Sequence, residues 1–184
     1  TLTVNSTGLT TFTGAVGGGT ALTSLSTNAG GSTSLNANVS TNNGLVSFGE
    51  NVSLTAGVII STGNGDVTFG GTVNGAQTLT VNSTGLTTFT GAVGGVTPLA
   101  SVSTNAGGSV AINGGSVRTT GAQTYNDPVT LGADTNFTAN GGSLVWFADT
   151  LGGGATARSV TVTTANARFD ADVGGVGNLV SSVS

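Results

Sequence analysis

The chain has 184 residues, with 33 glycines, three arginines, seven acids and no lysine, histidine, cysteine or methionine. That composition excludes disulfide frameworks, thiolate metal sites and histidine-dependent catalytic triads, and three arginines are too few to neutralise a run of phosphates. A hydrophobic share of 36% with mean hydropathy +0.28 is too apolar for a disordered chain, while no apolar run nears the roughly 20 residues of a membrane helix.

Thr and Val abound, whereas the helix formers Lys, Glu, Gln and Met are represented only by Glu50, Gln77 and Gln123, so the predicted elements are strands throughout. In chain order, Leu2 and Val4 alternate with polar residues as in a half-buried strand, and Gly8, Phe12 and Val16 follow at four-residue intervals. A predicted corner comes next at Asn28-Ala29-Gly30-Gly31, since Asn and Gly tolerate positive φ. Gly44-Phe48-Val52 and Gly65-Phe69-Val73 repeat the glycine–aromatic–valine spacing, with corners at Asn42-Asn43-Gly44 and Gly63-Asn64-Gly65. At Thr78 the opening eighteen residues return unchanged, a shift of 77, and bring with them Gly85-Phe89-Val93, the corner Asn105 to Gly107, and Gly121-Tyr125-Val129. Looser copies lie at Gly142-Trp146/Phe147-Leu151 and Asn166-Phe169-Val173, and a third, diverged long repeat opens near Ser159.

The expected fold class is all-β, a parallel β-solenoid of about nine coils of roughly 18–22 residues. Its long repeats are 1–77, 78–158 and 159–184, forming one continuous solenoid. No unit of that size buries its own apolar face, and stacking coils does. Phe12, Val16, Phe48, Val52, Phe69, Val73, Phe89, Val93, Tyr125, Val129, Phe169 and Val173 are the expected core columns; Asn28, Gly30, Asn105 and Gly107 are the expected turns. The 36-residue gaps between aromatics (12 to 48, 89 to 125) read as two coils of about 18, and four coils as one long repeat. Tandem immunoglobulin-like modules of 77 to 80 residues are the competing architecture, disfavoured by the sub-repeat. Thr1 opens without an initiator Met or signal peptide and the chain stops within a pattern, which reads as a segment of a longer protein.

The segments GDVTFGGTVNGAQTLTV (65–81), GAVGGVTPLASVSTNAGG (91–108) and TTGAQTYNDPVTLGADT (119–135) resemble the repeats of giant bacterial surface proteins of the filamentous-haemagglutinin-like and autotransporter type. The resemblance covers nearly the whole chain. It implies a right-handed coil, export to the cell surface, and service in adhesion or biofilm matrix. The expected function is the structural shaft of an extracellular fibre or adhesin, with glycan or ice binding as the alternative. Expected partners are adjacent repeats, end-to-end copies and a possible surface glycan; no nucleic acid, membrane span or cofactor is expected.

Sites of chemistry are sparse. Asp170 and Asp172 form a D-x-D pair without counterpart in the earlier copies and read as an exposed polar pair, while Glu50 and Asp127 recur as single acids, so no enzyme is expected. Gly63-Asn64-Gly65-Asp66 only partly matches the calcium turns of toxin-repeat solenoids, and the triple glycines at 17–19 and 152–154 lack the lysine and helix of a phosphate loop. Thr-x-Thr pairs such as Thr1/Thr3 and Thr78/Thr80 raise ice binding, but coils containing Ser47-Phe48-Gly49 interrupt them. Trp146, with Phe69 as its column neighbour, reads as core rather than as a sugar platform.

Overall fold

The computed structural model describes residues 1–174 and strand 180–183, and it is a parallel β-solenoid of about eight turns with no helix. The first turn contains β1 (Leu2–Val4), β2 (Leu9–Phe12) and two bridging residues, Val16 and Leu22. The second has β3 (Leu25–Thr27), β4 (Ser32–Leu35) and β5 (Val39–Ser40); the third β6 (Val46–Phe48), β7 (Asn51–Leu54) and β8 (Val58–Gly63). The fourth has β9 (Val67–Phe69), β10 (Val73–Asn74) and β11 (Thr78–Ser83), and the fifth β12 (Leu86–Phe89), the bridging residues Val93 and Leu99, and β13 (Ser101–Thr104). Then come β14 (Ser109–Ile112), β15 (Ser116–Thr119) and β16 (Gln123–Tyr125), followed by β17 (Val129–Leu131), β18 (Thr135–Ala139) and β19 (Leu144–Phe147). The eighth turn is β20 (Leu151–Gly152), β21 (Arg158–Thr163) and β22 (Asn166–Phe169), after which Val173 bridges back to Leu151 and β23 (Val180–Val183) pairs with β21.

Every pairing among these strands is parallel. The first face stacks β1-β3-β6-β9-β12-β14-β17-β20. The second runs β2-β4-β7-β10 and resumes as β15-β18-β21-β23, the two halves joined through Val73, Val93 and Val117. The third runs β5-β8-β11-β13-β16-β19-β22. Turns vary from 19 residues (Val110 to Val129) to 25 (Thr135 to Val160), and at a strand spacing of ~4.8 Å eight of them make a rod about 38 Å long.

Alternate side chains of each strand point into one continuous core that includes Phe48, Val52, Phe69, Val73, Phe89, Val93, Tyr125 and Val129, all buried. Phe12, Val16, Phe169 and Val173 are partly buried and pack against it. The recurring Gly-x3-aromatic-x3-Val unit is one corner, one strand and the start of the next face: Phe48 ends a first-face strand and Val52 lies on the second. The opening glycine is required by the stacking. A Cβ on Gly65 would lie 2.2 Å from the carbonyl oxygen of Gly44 in the turn before, whereas one on Gly8, in the first turn, would meet nothing closer than 3.9 Å.

The long repeat is not four turns. Leu2 lies on the first face in β1, and its copy Leu79 lies on the third in β11, eleven strand positions later. Seventy-seven residues over eleven positions is seven per position, and eleven positions are three and two-thirds turns. In the third copy Val160 lies on the second face in β21, again eleven positions on. Phe12, Phe89 and Phe169 follow the same rule, on the second, first and third faces. The 36-residue gaps are therefore five strand positions, one and two-thirds turns, rather than two coils of 18. Each copy of the sequence is turned about the rod axis by a third of a revolution.

The aromatics form stacks instead of one column. Phe48, Phe69 and Phe89 stack on the first face with ring centroids 5.6 and 5.1 Å apart. Tyr125, Phe147 and Phe169 repeat the stack on the third face at 5.0 and 5.3 Å, and Phe137 closes edge-on against Tyr125 and Phe147.

Candidate functional site

The corners use their polar side chains on the backbone of neighbouring turns. Asn28 Oδ1 accepts the Ser6 amide at 2.8 Å and its amide donates to the Ala29 carbonyl; Asn105 repeats both bonds with Ser83 and Ala106. Gly30 and Gly107 follow in the left-handed region at φ 108° and 106°. Asp66, the acid of the partial calcium turn, accepts the Leu86 amide at 2.8 Å and so serves the same purpose. Among the described residues no three His, Cys, Asp or Glu side chains gather where they could hold a metal ion, and the described surface has no pocket.

The two recurring acids are buried and separate. Glu50 is 6% exposed; its Oε1 accepts the Thr33 hydroxyl at 2.5 Å and its Oε2 has no hydrogen-bond partner. Asp127, 1% exposed, accepts the Gly108 amide at 2.7 Å. Burial pushes the Asp127 carboxyl above its ordinary range, with a smaller push from the Asp149 charge, against the lowering pull of the Gly108 amide and the Thr104 hydroxyl.

Outside, the first face carries a hydroxyl column, Thr3, Ser26, Ser47, Thr68 and Thr88, which Ala111 interrupts before Thr130. The exposed Leu45 and Leu86 stand beside it on the same face, so two parallel hydroxyl columns do not form.

The densest group of reactive side chains lies on the outer surface of the third face. β19 points Val145 and Phe147 inward, which leaves Trp146 outward and only half-buried, so this tryptophan is a surface residue and not part of the core. The one-residue offset explains the change. The 77-residue shift aligns Trp146 with Phe69, but Phe147 takes the stack position, and Trp146 falls where Thr68 stands on the first face. The Trp146 indole donates to Asp170 Oδ2 at 2.9 Å. Arg168, its register partner in β22, donates Nε to Asp170 Oδ1 at 2.6 Å and lies over the indole ring at 4.9 Å. The arginine hydrogen bond holds the Asp170 carboxyl below the usual carboxylate range, helped by the indole. Asp172, the other half of the D-x-D pair, is exposed. No signal in the sequence paired Trp146 with Arg168, because their contact depends on the 22-residue turn that separates them.

The fold and surface define a three-sided, corner-capped parallel β-solenoid. Comparison with protein-family models, curated proteins and solved structures returned no match.

Proposed function

We propose that this chain is a stretch of the structural shaft of an extracellular bacterial fibre or surface adhesin. One observation carries the reading. Successive copies of the long repeat, the third of them diverged, start on the first, third and second faces, so the repeat builds length without marking a side of the rod. A face that must meet an ordered surface, as in ice binding, needs its residues on one side in every turn, and a repeat of three and two-thirds turns disperses them. The materials of a shaft are present: an uninterrupted apolar spine, stacked aromatics and hydrogen-bond ladders running along the axis. Thr and Ser, which suit strands and offer hydroxyls to water, make up much of the exterior. Export to the cell surface rests on the resemblance to bacterial surface repeats and belongs to the same proposal.

The test is electron cryo-microscopy of the native surface structure together with immunogold labelling of intact cells. A labelled filament with a ~4.8 Å axial repeat is the expected result. Label confined to the cell interior, or unlabelled filaments, would refute the reading.

A further inference from the structure

We propose that Trp146, Arg168 and Asp170 form a binding site for a neutral hexopyranose carried on the side of the rod. The comparison that supports this lies within the molecule. Eleven strand positions earlier, the same three places hold Thr68, Thr88 and Thr90, with Thr68 and Thr88 in register and Phe69 and Phe89 stacked beneath them. In the later copy the inner stack is kept as Phe147 and Phe169, while the three outer threonines have become tryptophan, arginine and aspartate. Stacking of the turns does not require that change, since the threonine version packs equally closely; ring centroids are 5.1 Å apart in one and 5.3 Å in the other.

The chemistry suits a sugar. Arg168 covers one face of the half-buried indole, so pyranose C–H groups would stack on the opposite face, beside Leu144, two residues earlier on the same outward side. Arg168 spends its Nε on Asp170, and its terminal amines make no hydrogen bond among the described residues. A guanidinium donor beside a carboxylate acceptor matches two adjacent hydroxyls, each of which both donates and accepts. The ion pair neutralises itself, so a neutral ligand fits better than a charged one. Asp170 orients both partners, receiving the indole N–H on one oxygen and the guanidinium on the other.

Trp146 is the chain's only tryptophan, so its emission reports on the site alone. The intact chain is titrated with the methyl glycosides of glucose, galactose, mannose and N-acetylglucosamine. A saturable emission change with at least one of them, persisting at high salt and weakened roughly tenfold or more in Arg168→Ala/Asp170→Ala, is the expected result. The triple variant Trp146→Thr/Arg168→Thr/Asp170→Thr restores the residues of the earlier copy. It is expected to keep its circular dichroism and melting temperature while losing sugar contact in saturation-transfer NMR. Absence of a saturable change with all four sugars overturns the proposal and leaves the trio as a pin between turns; an equal change in the double alanine variant overturns it as unspecific stacking. Either failure leaves the shaft reading intact, because the rod does not depend on these three side chains.

Discussion

At the scale of single residues, the two long repeats act as each other's controls. Thr33 and Glu50 in the first correspond to Val110 and Asp127 in the second. The longer glutamate reaches the buried Thr33 hydroxyl, while the shorter aspartate turns to the Gly108 amide where valine offers nothing. Thr33→Val alone should therefore cost about 1–3 kcal/mol by stranding the Glu50 carboxylate, and adding Glu50→Asp should recover much of it, read as denaturation midpoints. Asp127 has a raised folded pKa, so the folded state binds its proton more tightly than the unfolded chain. Its charge subtracts stability at neutral pH, and stability returns as pH falls through the raised value. Asp127→Asn keeps the acceptor for Gly108 and should flatten that acid-side gain in thermal melts taken from neutral pH downward. The glycines separate in the same way. Gly65→Ala pushes a methyl into the Gly44 carbonyl and should lower stability by about 1–3 kcal/mol, whereas Gly8→Ala should change it by less than about 0.5 kcal/mol.

At the scale of elements, the stacks explain why so few aromatics suffice. Phe69 is sandwiched between Phe48 and Phe89 with an interplanar angle of 2° to the latter, so Phe69→Ala should cost about 3–5 kcal/mol in equilibrium unfolding. On the third face the top of the stack is modified as a pair. Val46 and Phe48 become Gln123 and Tyr125, whose hydroxyl donates to Gln123 Oε1 at 3.2 Å. The Gln123 amide serves the Val117 and Thr138 carbonyls and the Thr119 hydroxyl. A buried polar pair is tolerated here because each member satisfies the other. The strands, the inward aromatics and the Asn-Gly corners were legible in the sequence, since each is set by local alternation or by φ. Trp146 was not. One residue of slip in β19 exchanges inside for outside, and only the pairing of Gln123 with Val145 and Tyr125 with Phe147 fixes that register.

At the scale of the whole molecule, the three-and-two-thirds-turn repeat makes a prediction about length. Inserting one more copy of residues 1–77 ahead of Thr78 recreates every existing junction, because Thr78 to Gly95 repeats Thr1 to Gly18. The rod should lengthen by about 18 Å at unchanged cross-section in small-angle scattering, and everything beyond the insertion should turn by a third of a revolution. A new globular mass at the insertion point would contradict the stacking. The sequence by itself determined that the chain is a stacked parallel β-structure with an apolar interior and glycine-rich corners, because strand alternation, corner residues and burial are local properties written into each twenty-residue unit. Only the tertiary structure decided how many strands make a turn, which face each copy occupies and which side chains meet across turns. Those depend on closing a three-sided coil of 19 to 25 residues, a length that the 77-residue text does not divide into evenly.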